Sequence, residues 1–391
     1  MTIPRTHSTF VSPIVESRRW VQNADFPADR PLINVSQAAP IDPPPLPLRQ
    51  AIARAAIDTD DSHLYGPVLG RPALRAALAG QMSDHYDAHI HSDQIAITSG
   101  CNQAFAATIA ALCSDGDEIL IPTPWYFNHK MWLDMSGVAA IALSTGPDMV
   151  PDPAHAAALI TKRTRAIALV SPNNPCGVEY PAPMIRAFYE LAKSNGIKLI
   201  LDETYRDFDS RDGAPHDLFT SPEWDNTLIH LYSFSKAYRL TGHRVGAIAT
   251  APGLLYEMEK FLDTVTICPN QLGQIAATWG IENLSDWVAG ERVEILDRRS
   301  AIADHFPVLE AQGWKLLGLG AYFAYVEHPF DMSSLDMAQR LVNEASVLML
   351  PGTMFMPDDD PGGKRQFRIA FANIDRDGIA QLFDRLANLS F

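Results

Sequence analysis

Six short apolar runs constrain the fold of this chain more than any other feature: "QIAITSG" (94–100), "DEILIPTP" (117–124), "TRAIALVSPNNPCG" (164–177), "IKLILDETY" (197–205), "TLIHLYSFSK" (227–236) and "RVGAIAT" (244–250). Each is rich in Ile, Leu, Val or Ala and halts at Pro, Gly or polar residues. Helical stretches such as "PAPMIRAFYELAKSN" (181–195) lie between some of them. A strand that is apolar along its whole length, rather than at alternate residues, must be covered on both faces. That is the situation of a mostly parallel sheet sandwiched by helices, so the fold class is α/β.

At 391 residues the chain is too long for one ordinary core. Its texture changes after about residue 280. A helical pattern over about 281–312 leads to "AYFAYVE" (321–327), a helix near 333–345 and "QFRIAFAN" (366–373), which reads as a smaller α+β domain behind a hinge helix. Residues 1–48 are irregular and proline-rich, ending in "APIDPPPLPLR", and read as an extended arm. The expected division is an arm that joins the small domain (1–48), a large domain (49–280) and a small carboxyl-terminal domain (281–391).

Several function classes are disfavoured. A formal charge of -15 argues against nucleic acid and anionic membrane, both of which want a basic face. No apolar run approaches the roughly 20 residues needed to cross a bilayer, and "AFAATIAALC" (104–113) is the length of a buried helix. The amino terminus lacks the apolar core of a secretory signal, which points to the cytoplasm. Cys101, Cys113, Cys176 and Cys268 show no Cys-x-x-Cys or metal-like spacing, so neither disulfides nor a metal site is expected.

In parallel sheets ligands collect where strands end and helices begin. The side chains at those ends are Gly100, Cys101 and Asn102; Tyr126; Asn174; Asp202 and Tyr205; Ser233 and Lys236; and Arg244. Backbone N–H groups around Gly100 would crown a helix amino terminus and face an anion. Ser233 and Arg244 would add a hydroxyl and a guanidinium fork. A carboxylate at the end of "KLILD" is expensive to bury unless it meets a cation or donors, and a protonated pyridine nitrogen is one such partner; a cap for the following turn is the plainer one. Tyr205 sits one turn further on, and Pro175 holds Asn174 extended. Lys236 becomes a nucleophile if burial or a neighbouring cation lowers its pKa. The set as a whole asks for an anionic, aromatic, nitrogen-containing cofactor.

"SFSK" (233–236) also fits the Ser-x-x-Lys spacing of a serine-nucleophile enzyme. That reading needs a Ser-Asp-Asn and a Lys-Thr-Gly element, and the chain offers only "SDQ", "SDW" and "LTG". It also lacks Gly-x-Ser-x-Gly, a P-loop and a complete Gly-x-Gly-x-x-Gly.

From about residue 30 onward the chain resembles the class I/II pyridoxal-phosphate aminotransferases of fold type I, the aspartate-aminotransferase-like superfamily. The likeness rests on an ordered series: "YGPVLGRPALR", "TSGCNQAF", "PTPWYFNH", "SPNNPCG", "LDETY", "SFSKAYRLTGHRVG" and "FRIAFAN". It implies that Lys236 carries the cofactor as an internal aldimine and moves the substrate proton. Asp202 would pair with the pyridine nitrogen, and Tyr205 and Asn174 with the phenolic oxygen. Gly100, Cys101, Asn102, Ser233 and Arg244 would hold the phosphate, joined by Tyr65 from the neighbouring subunit of a homodimer. Tyr126 would stack on the ring, with Trp125 as the alternative. His129 would either brace the aspartate or serve the structure. Arg368 would bind the substrate α-carboxylate, near Asn174 and Ala38.

Two departures from the family pattern stand out. Ala38 and Ala39 replace the usual glycine, so an added methyl would narrow the substrate pocket. Cys176 replaces a threonine or small residue and can simply pack. The implied activity is ping-pong transfer of an amino group from an amino acid to a 2-oxo acid. A lyase or carbon-bond-forming enzyme, of the C–S lyase or cyclopropane-forming type, would use the same residues. A transcription regulator would need a basic module that the short arm does not supply. No arginine lies in "TICPNQL" (266–272), which mildly favours a neutral or aromatic amino acid over a dicarboxylic one.

Overall fold

The computed structural model of the chain describes residues 4–389. In chain order the strands are β1 (Ile33–Asn34), β2 (Ile95–Thr98), β3 (Glu118–Thr123), β4 (Ala139–Ser144), β5 (Thr164–Val170), β6 (Lys198–Asp202) and β7 (Leu228–Ser233). They continue as β8 (Gly246–Ala249), β9 (Lys315–Gly320), β10 (Phe323–Glu327), β11 (Val347–Leu348), β12 (Leu350–Pro351) and β13 (Gln366–Ala370). Strands β2 to β8 form one seven-stranded sheet in the order β2-β8-β7-β6-β5-β3-β4.

All six apolar runs of the sequence are strands of this sheet. Pairing is parallel except at β8, which runs antiparallel to both β2 and β7. The reason is local: the β7–β8 connection carries only the short helix Phe234–Ala237 and a 3-10 turn, not a crossover helix that would return the chain in the same direction. Both faces are buried, as whole-length apolar strands require. Leu199 and Leu201 of β6 point into one core with Tyr180, Phe188 and Tyr232, while Ile200 points into the other with Phe105, Ile121 and Ile229. Edge strand β4 was not among the expected runs. Its "AAIALS" is partly exposed and rich in alanine, a weak strand former.

The second sheet is antiparallel, in the order β12-β13-β10-β9. Its core joins Phe323, Val326, Phe367 and Ile369 to Leu341, Leu382 and Phe383 from the helices Ser334–Ala345 and Arg376–Ala387. Two expectations need correction. Residues 1–48 are not simply an irregular arm, because Pro13–Val21 is a helix and β1 pairs in parallel with β11, Ile33 opposite Val347. Ile33 and Val35 are buried in the core of the second sheet. The helical pattern over 281–312 is also not one helix. It divides into Gln271–Asn283, Ser285–His305 and Pro307–Glu310, and Pro307, with no N–H to donate, interrupts the ladder after Phe306.

Candidate active site

A cleft of about 440 Å³ opens where the parallel strands end, roofed by the arm. Cys101, Asn102, Tyr126, Asn174, Asp202, Tyr205, Ser233, Lys236, Arg244, Arg368 and Ala38 all line it. They come from many elements: Asp202 ends β6, Ser233 ends β7, Lys236 sits on the short helix after β7, and Arg368 is on β13. Lys236 and Arg368 stand 132 positions apart in sequence and line one cleft, although Arg368 lies within β13 of the second sheet. Gly100 stands directly behind the lining, and Tyr65 stands outside it, 80% exposed.

Asp202 is the one acidic side chain among the described residues lining the cleft. It is 3% exposed. Its Oδ1 accepts the N–H of Thr204 at 3.0 Å, so the plain turn-capping role is real. Its Oδ2 takes a 3.4 Å contact from the Cys101 thiol and lies 3.4 Å from His129 Nε2, short of a full hydrogen bond. Burial pushes its carboxyl pKa up, but His129 and Thr204 outweigh burial and hold it below the ordinary value. The result is an ionised carboxylate with capacity to spare for a cationic ligand.

Lys236 faces the same space. Its Nζ donates to the Ala38 carbonyl at 2.6 Å and lies 5.8 Å from the Tyr205 ring. Burial lowers its pKa to about 8, helped by Arg244 and Arg368 and opposed by Asp202 and Cys101. A lysine so placed is a free amine about a tenth of the time at pH 7, some hundredfold more than a lysine at the ordinary value of about 10.4. The serine of the hydrolase pattern has no such base: Ser233 Oγ accepts the Ser235 N–H at 3.2 Å as a helix cap.

The anion end is built on backbone. Gly100 caps the helix Cys101–Leu112 at φ 90° and ψ 164°, a region open to glycine. A Cβ there would collide with the Arg244 guanidinium, which lies across it. Arg244 itself sits at φ 53°; its Nη1 donates to the Thr241 carbonyl at 3.0 Å and reaches Ser235 Oγ at 3.5 Å. Helix amides, two serine hydroxyls and a guanidinium thus converge on one small volume.

At the other end Arg368 is 2% exposed, with Nη1 donating to Asn174 Oδ1 at 2.9 Å and Nη2 to the Ser36 carbonyl. Its Nε has no partner among the described residues, and Phe323 and Phe355 lie 5.2 and 5.0 Å from the guanidinium. Burial lowers its pKa to about 10. A buried guanidinium held by neutral acceptors alone is costly until an anion joins it.

Of the two aromatic candidates, Tyr126 lines the cleft, its hydroxyl donating to Asn102 Oδ1 at 3.2 Å, whereas Trp125 is buried towards Lys130, whose Nζ is 5.4 Å from its ring. His129 stacks on Phe105, centroids 3.8 Å apart, which orients it on Asp202. Ala38 and Ala39 both line the cleft and neither has a left-handed backbone, so their methyls add bulk without strain. Cys176 lies away from the cleft and packs with Met149 and Tyr325. Ser235, Thr204, Asn128, Gln37 and Arg18 also line the cleft and were not singled out from sequence. Ser235 had a signal, lying between two chosen residues; the others are brought in by tertiary packing.

These features can be set against known proteins. The family model for aminotransferase class I and II matches residues 30–386. An aromatic aminotransferase of Arabidopsis thaliana is 28% identical over 297 residues, covering 74% of this chain and 73% of that protein. A valine–pyruvate aminotransferase of Mycobacterium tuberculosis is 28% identical over 357 residues, covering 87% of each. Among solved structures, a single mutant of Thermus thermophilus aspartate aminotransferase superposes with a TM-score of 0.87 over 99% of both chains at 24% identity, a likeness of fold. The chain belongs to the class I and II aminotransferases, a family that works with pyridoxal phosphate. It is an enzyme, a transferase of amino groups, and the relatives do not favour the lyase reading.

Proposed function

We propose that this chain binds pyridoxal 5'-phosphate on Lys236 and transfers an amino group from an amino acid to a 2-oxo acid in two half-reactions. The observation that carries the proposal is one cleft holding an ionised buried carboxylate, a lysine with a pKa of about 8 and a buried guanidinium without an acid partner. The donor set fits the cofactor: a cradle that a Cβ would fill for the phosphate, an acid for the ring nitrogen, an amine for the aldehyde. When bound, the cofactor supplies an aldehyde and a ring that accepts the electron pair released at the substrate Cα.

The remaining chemistry belongs to the chain. Lys236 Nζ would carry the proton between the substrate Cα and the aldehyde-derived carbon of the bound cofactor, in opposite senses in the two half-reactions. Asp202 keeps the ring nitrogen protonated, with His129 as its positioning residue. Tyr205 and Asn174 donate towards the phenolic oxygen, and Tyr126 covers the ring. Gly100, Cys101, Asn102, Ser233, Ser235 and Arg244 hold the phosphate. Arg368 fixes the α-carboxylate, with Asn174 and the backbone at Ala38 shaping that end. In this reading the enzyme is a cytoplasmic homodimer in which the partner subunit's Tyr65 completes the phosphate site. The exposure of Tyr65, beside exposed Leu64, Val265 and Ile267, supports that arrangement. We divide the chain into an arm (1–48), a large domain (49–280) and a small domain (281–391).

Borohydride treatment of the purified protein followed by peptide mapping tests the assignment. A single modified peptide carrying the reduced cofactor at Lys236 is expected, and Lys236→Ala should lose the near-visible absorbance. Unchanged activity in colourless Lys236→Ala would refute it. Production of ammonia and pyruvate in place of amine transfer would identify a lyase.

A further inference from the structure

Cys101 belongs to the anion end by its backbone, since it opens the helix Cys101–Leu112. Its side chain meets a different group. The thiol Sγ lies 3.4 Å from Asp202 Oδ2, within reach for an S–H donor, and the residue lines the cleft while only 8% exposed. Cys176, the other buried cysteine, is the contrast. It packs against Met149 and Tyr325, and burial is the sole cause of the rise in its thiol pKa.

Charge decides which way the Cys101 contact runs. Burial first, and then the neighbouring Asp202 carboxylate, push the thiol pKa well up, so the sulfur keeps its proton beside an ionised acid and acts as the donor. The backbone holds the donor in place. The start of the helix rests so closely on β8 that a Cβ on Gly246 would lie 2.6 Å from Cys101 N. The two carboxylate oxygens of Asp202 have separate neighbours: Oδ1 accepts the Thr204 N–H, while Oδ2 faces Cys101 and His129. His129 Nε2 is buried, stands 3.4 Å away and makes no hydrogen bond among the described residues. The thiol is therefore the one hydrogen-bond donor to Oδ2 among the described residues.

We propose that Cys101 is a positioning residue, whose S–H donates to Asp202 Oδ2 and sets the carboxylate so that this oxygen meets the ring nitrogen of pyridoxal 5'-phosphate. The inference rests on the proposed function, which makes that nitrogen the ligand of Asp202. Without the thiol, the carboxylate is tied to the protein by a hydrogen bond on Oδ1 alone and is free to turn Oδ2 away. A weak donor suits the task. A carboxylate oxygen accepts two hydrogen bonds, and S–H orients Oδ2 without competing with the stronger N–H of a protonated ring.

Infrared spectroscopy of the full chain reads the contact without turnover, because the S–H stretch falls in a window free of other protein bands. The band lost in Cys101→Ala is expected to lie below that of an unbonded thiol and to move up towards it in Asp202→Asn. Equilibrium dialysis then reads the consequence. Cys101→Ala should bind pyridoxal 5'-phosphate about fivefold more weakly, the effect of losing one ordinary hydrogen bond. Cys101→Ser restores a donor and should recover most of that loss, whereas a side chain that only packs would make serine no better than alanine. Inorganic phosphate, which meets backbone amides and Arg244, should bind to wild type and both variants alike. An unbonded S–H band in the wild type, or serine no better than alanine, overturns the proposal. Pyridoxal 5'-phosphate that fails to bind the wild type while the lowered S–H band persists would instead overturn the proposed function.

Discussion

Glu203 follows Asp202 directly, yet points to the opposite face of the sheet end, and replacing it by glutamine should destabilise the whole enzyme. It is 0% exposed. Its Oε2 accepts from the Tyr86 hydroxyl and from His230 Nε2 at 2.8 Å, and Oε1 lies 3.4 Å from His216 Nε2. Burial pushes its carboxyl pKa up, but His216 and His230 drive it well below the ordinary value. A hydrogen bond to a charged group contributes about 1.5–3 kcal/mol, and glutamine keeps the shape while losing the charge, so Glu203→Gln should cost roughly 3 kcal/mol at pH 7.5. For a chain of 391 residues that corresponds to a fall in Tm of about 4 °C.

The pH dependence gives a sharper signature. Burial lowers the His230 pKa from its ordinary 6.5, and Glu203 opposes that. The unfolded chain therefore binds the His230 proton more readily than the folded one, and this contribution to stability is present above pH 6.5 and lost as pH falls through it. Glu203 contributes stability above its unfolded value of 4.5, lost as pH falls below that. In Glu203→Gln burial of His230 is unopposed, so stability between pH 7.5 and 5 should fall more steeply, towards the one-proton limit of about 1.4 kcal/mol per pH unit. The acid limb due to Glu203, below pH 4.5, should disappear. Urea unfolding followed by tryptophan fluorescence from pH 7.5 to 4 measures both. A variant within about 0.5 kcal/mol of wild type with a parallel pH curve would show that this network does not stabilise the fold.

Gly100→Ala should leave a folded protein with a damaged anion site. Its backbone strain costs about 1–3 kcal/mol, and its methyl displaces the Arg244 guanidinium; inorganic phosphate measured by equilibrium dialysis should bind at least tenfold more weakly, and unchanged affinity would refute the cradle. Lys236 in cofactor-free protein should react with a simple aldehyde at a rate that rises from pH 7 to 9 around a midpoint near 8, because its lowered pKa makes the free amine appear as pH passes that value. A midpoint at the ordinary lysine value of about 10.4 contradicts the environment described. Arg368→Gln should raise KM for α-carboxylate donors by roughly 100-fold, the equivalent of about 3 kcal/mol for two charged hydrogen bonds. A KM within a factor of three of wild type would remove Arg368 from the substrate site.

Much of the active site is legible in the sequence because parallel strands punish polar residues. Asp202 closes "KLILD", where an unpartnered carboxylate is hard to accommodate, and Lys236 follows "LIHLYS" by the same logic. Their meeting could be inferred because strand ends converge. The arm carried no comparable signal. "PIVESRRWV" is short and polar, and its Arg18 resembles any solvated charge until the helix is placed over the cleft. His129 stands 73 positions before Asp202, and only the stacking on Phe105 shows that it is aimed at the carboxylate. Glu203 was invisible as a structural charge, since its three partners lie at positions 86, 216 and 230.

In the proposed function, Asp202 and Glu203 are a pair of neighbouring buried charges with different tasks, one to receive a ligand and one to hold the fold. Both are almost wholly removed from water at the same strand end, and both are kept ionised by their surroundings. Glu203 is answered from inside the protein on one oxygen, Oε2, by Tyr86 and His230, packed in one aromatic cluster with Phe219 and His216, while its Oε1 lies 3.4 Å from His216 without a hydrogen bond. Asp202 has a backbone amide on one oxygen and, on the other, only a thiol and a histidine at 3.4 Å. Arg368 repeats the second pattern with the sign reversed, its Nε unpartnered and its other nitrogens on neutral oxygens. Burial alone therefore does not mark a functional charge, because the desolvation of Glu203 is met by the chain itself. What sets Asp202 and Arg368 apart is that they line the cleft, where in the proposed function a cofactor or substrate of opposite charge completes their pairing, whereas Glu203 does not line it.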